Sequence, residues 1–280
     1  MDPVSARSIE RILQSYASAE RAANSARFFK TGKGQYGEGD KFLGLVVPDV
    51  RKVAKSHYKS MSIREIKKLL QSPYHEVRLC ALIMLVYQYE KADVAKRRQI
   101  FDFYLANTKY INNWDLVDLT APNIVGDYLL QNGSVTEDTY FAQTTGFTRG
   151  VRRKQNTVSR DEPPTILVKF SRSTSLWERR IAILATFSFI RAGSHREAFT
   201  IAELLLHDKH DLIHKAVGWM LREVGKRVGK DTLREFLDRH AKTMPRTALR
   251  YAIEHMVKEE RERYMKMATA KPSSRATNAS

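Results

Sequence analysis

Apolar residues along this chain recur three and four positions apart. IREIKKLL, EVRLCALIMLVYQY, LWERRIAILATFSFI and DLIHKAVGWMLREV all carry that spacing. It places the apolar side chains on one face of a 3.6-residue turn and predicts α-helices. The start, MDPVSARSIERIL, reads as another helix, with charges of both signs along it. Alternation with a period of two, the mark of a half-buried strand, is nearly absent. TILVKF, residues 165–170, is the exception; it is short and fits either element. The pattern predicts an all-α chain.

Helix-like blocks begin near Glu76, Asn112, Leu176, Asp211 and Met244, in steps of 36, 64, 35 and 33 residues. Three of these steps have the period of a helical hairpin repeat, and the long one exceeds them by about 28 residues. A single hairpin cannot bury its apolar face, so neighbours stack. We therefore expect a HEAT- or armadillo-like α-solenoid over residues 1–265, with the second helix of each pair lining a concave face. The long step holds an expected insertion at 134–164, whose stretch from Gln143 to Arg160 has five basic residues and no acidic one. Such a loop could grip phosphates or simply be solvated. The small, polar end of the chain, residues 266–280, reads as a disordered tail.

Charge narrows the partners. With 48 Lys+Arg against 31 Asp+Glu the formal net charge is +17. This points to nucleic acid or another anionic surface, although a merely basic protein would show the same balance. One cysteine, Cys80, excludes an intramolecular disulfide and fits a reducing compartment. On an apolar helix face it reads as a buried structural thiol. No secretory signal is visible and no apolar run reaches membrane-spanning length. We expect a monomer in the cytoplasm, associated with the nucleoid, or in the nucleus if the cell has one.

Two glycine-rich stretches invite a nucleotide reading and fail it. Gly32, Gly34 and Gly37 spell GxGxxG, but a helix ending in RFFK precedes them, where the dinucleotide fingerprint needs a strand. GKRVGKD at 225–231 is one residue short of a phosphate loop, and Asp231 stands where Ser or Thr is required. His207, His210 and His214 raise the question of a metal, but no further ligand has a motif spacing. We expect no metal and no cofactor.

NNWDLVD, residues 112–118, is the odd segment in so basic a chain. Asn112 or Asn113 suits the N-cap of the helix that follows. Trp114 and Asp118 are then four apart and about 40° apart on one face. Asp115 lies about 100° round, where complementing the helix dipole suffices to explain it. Asp118 sits a turn further in, between Val117 and Leu119. A salt bridge to the next repeat could account for it, and so could chemistry. Trp219 and Arg222 are three apart on a later helix, where Gly218 suggests a close approach; they read as site or as core. Trp177 and Arg180 form a similar pair, with Trp177 leaning to core.

WDLVD at 114–118, LWERRIAI at 176–183 and HKAVGWMLREVGK at 214–226, in this order on a helical-repeat chain, resemble the AlkD-type alkylpurine DNA glycosylases. The resemblance runs from about Phe28 to Tyr264, with FFKTGKGQYGEGDKFLGL and MPRTALRYAIEH adding to it. It implies a HEAT-like solenoid holding alkylated double-stranded DNA in its concave groove. It places the family's catalytic carboxylate on Asp118, its two site tryptophans on Trp114 and Trp219, and its phosphate-contacting arginines on Arg180 and Arg222. The family's aromatic near the N-terminus, a Tyr in its best-known form, falls on Phe28. The implied activity is monofunctional hydrolysis of the N-glycosidic bond of N3- and N7-alkylated purines, with no lyase step. Losing a cationic base leaves positive charge on the sugar, which a carboxylate stabilises while orienting water, and indole faces can flank it. Two other classes remain open: a non-catalytic solenoid that binds damaged or branched DNA, and a protein-interaction scaffold.

Overall fold

The structure, a computed structural model, describes residues 4–133 and 163–267. The chain falls into two compact units, divided near Asn132. The expected basic insertion and the expected polar tail lie outside the described residues, apart from the insertion's last two residues and the tail's first two.

The first unit runs α1 Ala6–Gln14, α2 Ala19–Phe28, α3 Val47–His57, α4 Ile63–Leu70, α5 His75–Lys91, α6 Val94–Ala106, α7 Trp114–Ala121 and α8 Asp127–Asn132. Its core is α5, which packs against α3, α4 and α7. Every residue from His75 to Val86 is buried, as expected of a helix with neighbours all round it. The second unit runs α9 Thr165–Ser171, α10 Leu176–Arg191, α11 Arg196–Leu205, α12 Asp211–Arg227, α13 Lys230–His240, α14 Arg246–Ala252 and α15 Lys258–Met267. Here α12 packs against α10, α11, α13 and α14. Both units are stacks of helical hairpins, and the described residues hold no strand. No described helix is long and apolar enough to cross a membrane.

The expected blocks start within two residues of the observed helices α5, α7, α10, α12 and α14. TILVKF resolves as helix α9. Pro164 occupies its N-cap, and Ile166, Leu167 and Phe170 are buried as α9 packs on α10 and α11. Packing of that face outweighs the β-branched residues, whose helix penalty is only a fraction of a kcal/mol.

A π-turn, Pro122–Gly126, joins α7 to α8 directly. Its cause is local. Pro122 has no N–H for the carbonyl of Asp118 four residues back, and its ring crowds that turn. The helix widens instead, as π-bulges do, and Asn123 Nδ2 donates to the Leu119 carbonyl at 2.8 Å. The irregularity therefore begins one turn after Asp118.

The glycines between α2 and α3 serve packing. Gly44 has φ +80°, and a Cβ there would stand 2.3 Å from the Ser18 carbonyl oxygen and 2.5 Å from Ala22 N. The carboxylate of Glu76, 3% exposed, accepts from the amides of Leu43, Gly44 and Leu45 at 2.9, 2.8 and 3.1 Å. One buried acid on α5 thus pins the whole end of this connection. Cys80 is buried on the same helix, and burial pushes its thiol up to about 12.

Gly44→Ala meets both a steric wall and a disfavoured φ. It should cost at least about 2 kcal/mol. Gly39→Ala, with the same φ of +80° but open space around the new Cβ, should cost only about 1 kcal/mol. Denaturant melts of the two variants measure the difference.

Candidate active site

Helix α7 carries the first group of residues. Asn113, fully buried, is the N-cap: its Oδ1 accepts from the Trp114 amide at 2.8 Å. Trp114 and Asp118 follow on one face, both partly buried. Asp118 lies close enough to the buried Tyr104 hydroxyl for its charge to matter. Burial raises that hydroxyl's pKa, the Thr120 hydrogen bond lowers it, and Asp118 raises it further.

Trp114 is the end of an aromatic column. Phe29 stacks on it at 5.3 Å between centroids, Phe42 stacks on Phe29 at 5.0 Å, and the His75 ring stacks on Phe42 at 4.7 Å. Phe28 meets Trp114 edge-on at 5.9 Å and is 65% exposed. The expected N-terminal aromatic therefore does reach the α7 indole, and it offers an open apolar surface beside it.

Behind the column sits a buried charge cluster. His75, 2% exposed, bonds Asp115 Oδ2 through Nε2 at 2.8 Å and Asp40 Oδ2 through Nδ1 at 3.0 Å. Asp40 also accepts from Arg78 at 2.7 Å and from Asn113 Nδ2 at 3.3 Å. Burial alone would depress the His75 pKa, but the bonds to Asp115 and Asp40 and their charges outweigh it and hold the ring at about 9. Burial works against the Asp40 carboxylate too; His75 and Arg78 more than offset it and keep its pKa below the usual value. Asp115 thus has a firm partner in addition to its place at the helix dipole. No spacing rule marks this cluster, because its members come from three separate stretches of chain.

In the second unit α12 presents Trp219, partly buried, and Arg222. Gly218 lets α14 approach: a Cβ there would lie 2.4 Å from the Ala248 carbonyl oxygen and 2.5 Å from Tyr251 Cβ. The close approach expected from sequence is thus made by the protein itself. Arg222 pairs with Glu254 and, at 3.9 Å, with Glu223. Beside it opens a cavity of about 400 Å³ whose lining includes Lys226, Lys230, His255 and Met256. Arg180 is only 5% exposed, and its Nη1 donates to the Leu212 carbonyl in the first turn of α12. Two arginines that the sequence did not flag lie near Trp219, and one of them, Arg227, pairs with Glu223 at 2.8 Å. The guanidinium groups of Arg191 and Arg227 each stand 5.2 Å from the Phe187 ring centroid, and Phe187 is 6.4 Å from Trp219. The partners of His210 and His214 are local. His210 Nδ1 accepts from the Leu212 amide and His214 Nε2 donates to the Asp208 carbonyl. Among the described residues no three His, Cys, Asp or Glu side chains converge as metal ligands do.

These features meet the following relatives. A family model described as DNA alkylation repair enzyme matches residues 9–143 and 151–256. A solved structure, a predicted DNA alkylation repair enzyme from Enterococcus faecalis, aligns with a TM-score of 0.59 at 14% identity, covering 86% of this chain and 97% of its own. AlkD2 from Streptococcus mutans aligns at 0.44 and 17% identity, over 89% of this chain and 96% of its own. The smu.31 protein from Streptococcus mutans UA159 gives 0.43 and 16%, over 94% and 97%. No curated protein matches the sequence.

The charge cluster sets a pH window for stability. His75 has its pKa raised from 6.5 to about 9, so its contribution is full below pH 6.5 and is lost as pH rises through 9. Asp40 has its pKa lowered from 3.8, so its contribution is present above pH 3.8 and is lost as pH falls through the depressed value. Thermal melts should therefore show a plateau between these limits, with an alkaline decline that His75→Ala removes.

Proposed function

This chain belongs to the DNA alkylation repair enzyme family, and on that premise we propose that it is a monofunctional DNA glycosylase. Its substrates in this reading are cationic N3- and N7-alkylated purines in duplex DNA. The observation that carries the reading is the Trp114–Asp118 face of α7, an indole and a carboxylate side by side on a chain of net charge +17. A binding module needs cations against phosphate, and it has no use for a carboxylate at the same place. A glycosylase does. As the C1′–N bond breaks, the positive charge on the alkylated base passes to the deoxyribose. The base departs neutral, and the carboxylate faces the sugar cation while orienting the water that adds to it. Trp114 offers a π-face to that cation. Phe28 extends the apolar surface beside it.

The second unit supplies duplex contacts in this reading. Trp219 presents a partly buried indole, and Arg222, which would exchange its Glu254 partner for phosphate, is its phosphate contact. Arg180, buried as it is, acts chiefly by tying α10 to the first turn of α12 rather than by reaching far into solvent. Arg191, held against Phe187, adds a cation that can follow a phosphate backbone, while Arg227 beside it is paired with Glu223.

Asp118→Asn keeps size and hydrogen bonding and removes charge. Single-turnover release of 7-methylguanine from methylated duplex should fall about 10²–10³-fold, with affinity unchanged or tighter. A cationic lesion should leave far faster than uracil or hypoxanthine, which lack its built-in charge. Normal release from the variant, or none from the wild type, would defeat the reading. Arg222→Ala should weaken binding to damaged and intact duplex alike and reduce the slope of log affinity against log salt by about one. A slope unchanged from wild type would remove Arg222 from the interface.

A further inference from the structure

His75 never reaches the surface, yet it touches both ends of the first turn of α7. Through Nε2 it holds Asp115 directly. Through Nδ1 it holds Asp40, which in turn accepts from the N-cap Asn113. Its ring also packs on Phe42 and on Phe29, and Phe29 in turn stacks on Trp114. Three routes therefore converge on residues 113–115, one turn before Asp118.

We propose that His75, as an imidazolium bonded to two carboxylates at once, is a positioning residue that fixes Trp114 and Asp118 for the chemical step; this rests on the glycosylase reading of α7. The reasoning is a matter of proton count. Both partners are carboxylate oxygens and only accept. An imidazolium donates from both nitrogens, whereas a neutral imidazole donates from one and turns a lone pair on the other. Deprotonation must therefore break the bond to Asp115 or the bond to Asp40 and place like electron density at the vacated contact. Losing the Asp115 bond frees the first turn itself. Losing the Asp40 bond leaves Asp40 to Arg78 and Asn113 and loosens the N-cap. Either way the helix start can shift, and a displacement of about 1 Å at a catalytic group costs up to about 10²-fold in rate.

The surroundings offer no substitute. The charged groups facing the ring are Asp40, from the connection between α2 and α3, and Asp115, from α7. Arg78, on the ring's own helix, is engaged through Asp40. Glu76, next to His75 in sequence, is occupied by the amides of residues 43–45. Phe29 and Phe42, which cover the ring, do not titrate.

The test uses the full chain and its His75→Gln variant. Three quantities are followed from pH 6 to 10: single-turnover release of 7-methylguanine, affinity for duplex, and the indole N–H resonance of Trp114, assigned by its loss in Trp114→Phe. In the wild type, release should hold steady and then fall as pH passes about 9, and the indole resonance should move with the same midpoint. The variant should release base about tenfold more slowly, with no fall near that pH, a resonance that does not titrate and affinity within about twofold. A variant with wild-type rates throughout overturns the proposal. So does a variant that is slower at every pH but keeps the alkaline fall, since His75 would then be a packing residue only. Should the variant lose its helical circular dichroism, the wild-type resonance decides alone: an indole signal that is constant to pH 10 overturns the proposal. Absence of any base release from the wild type would defeat the glycosylase reading, while the indole titration would still judge whether His75 governs Trp114.

Discussion

The first unit is organised around one buried cation. Removing an imidazolium from water costs several kcal/mol, and only good geometry on both sides recovers it. Asp40 and Asp115 supply that geometry from opposite flanks, one from the connection between α2 and α3 and one from the helix that bears the proposed site. The connection has no regular structure of its own, so its position depends on what it is tied to. Glu76, the next residue along α5, fixes its far end. Two adjacent side chains at the start of the most buried helix therefore determine where an irregular segment of chain lies. Through that segment they determine what Trp114 leans against. Stability and the shape of the site share one cause here, so substitutions in this region should rarely change one without the other.

What could be read from sequence was what depends on near neighbours along the chain. Helical periodicity, a cap at Asn112 or Asn113 and the shared face of Trp114 and Asp118 all follow from offsets of a few residues. The helix–helix approach at Gly218 was legible for the same reason, since a glycine inside a helical pattern carries a cost that something must offset. Long-range partnerships were not legible. His75 meets Asp40 across 35 positions and Asp115 across 40, and nothing in the spacing of those residues distinguishes them from other surface charges. Arg180 shows the same limit: its helix face could be inferred, but not that the Leu212 carbonyl would take its guanidinium. TILVKF stayed open between helix and strand for the same reason, because the packing against α10 that decides its conformation cannot be read from six residues.

The two units distribute their charge in contrasting ways. In the first, carboxylates gather at the aromatic column, and the cations there are buried and committed to them. In the second, arginines lie over aromatic rings and beside an open cavity, and two of them are paired with acidic partners of the same unit, Glu223 and Glu254. An enzyme that acts on a polyanion through a cationic transition state, as proposed for this chain, has use for both arrangements.

The burial of Cys80 acquires a meaning from the reagents such an enzyme lives among. Electrophiles that methylate purine nitrogens also attack sulfur, and they attack the thiolate far faster than the thiol. Burial raises the Cys80 pKa and so disfavours the thiolate, and the packing of α5 shuts out the reagent as well. The chain's single cysteine is thus shielded from the very agents whose damage the protein would repair. A repair enzyme that is not itself consumed by the stress that calls for it keeps working as the dose rises.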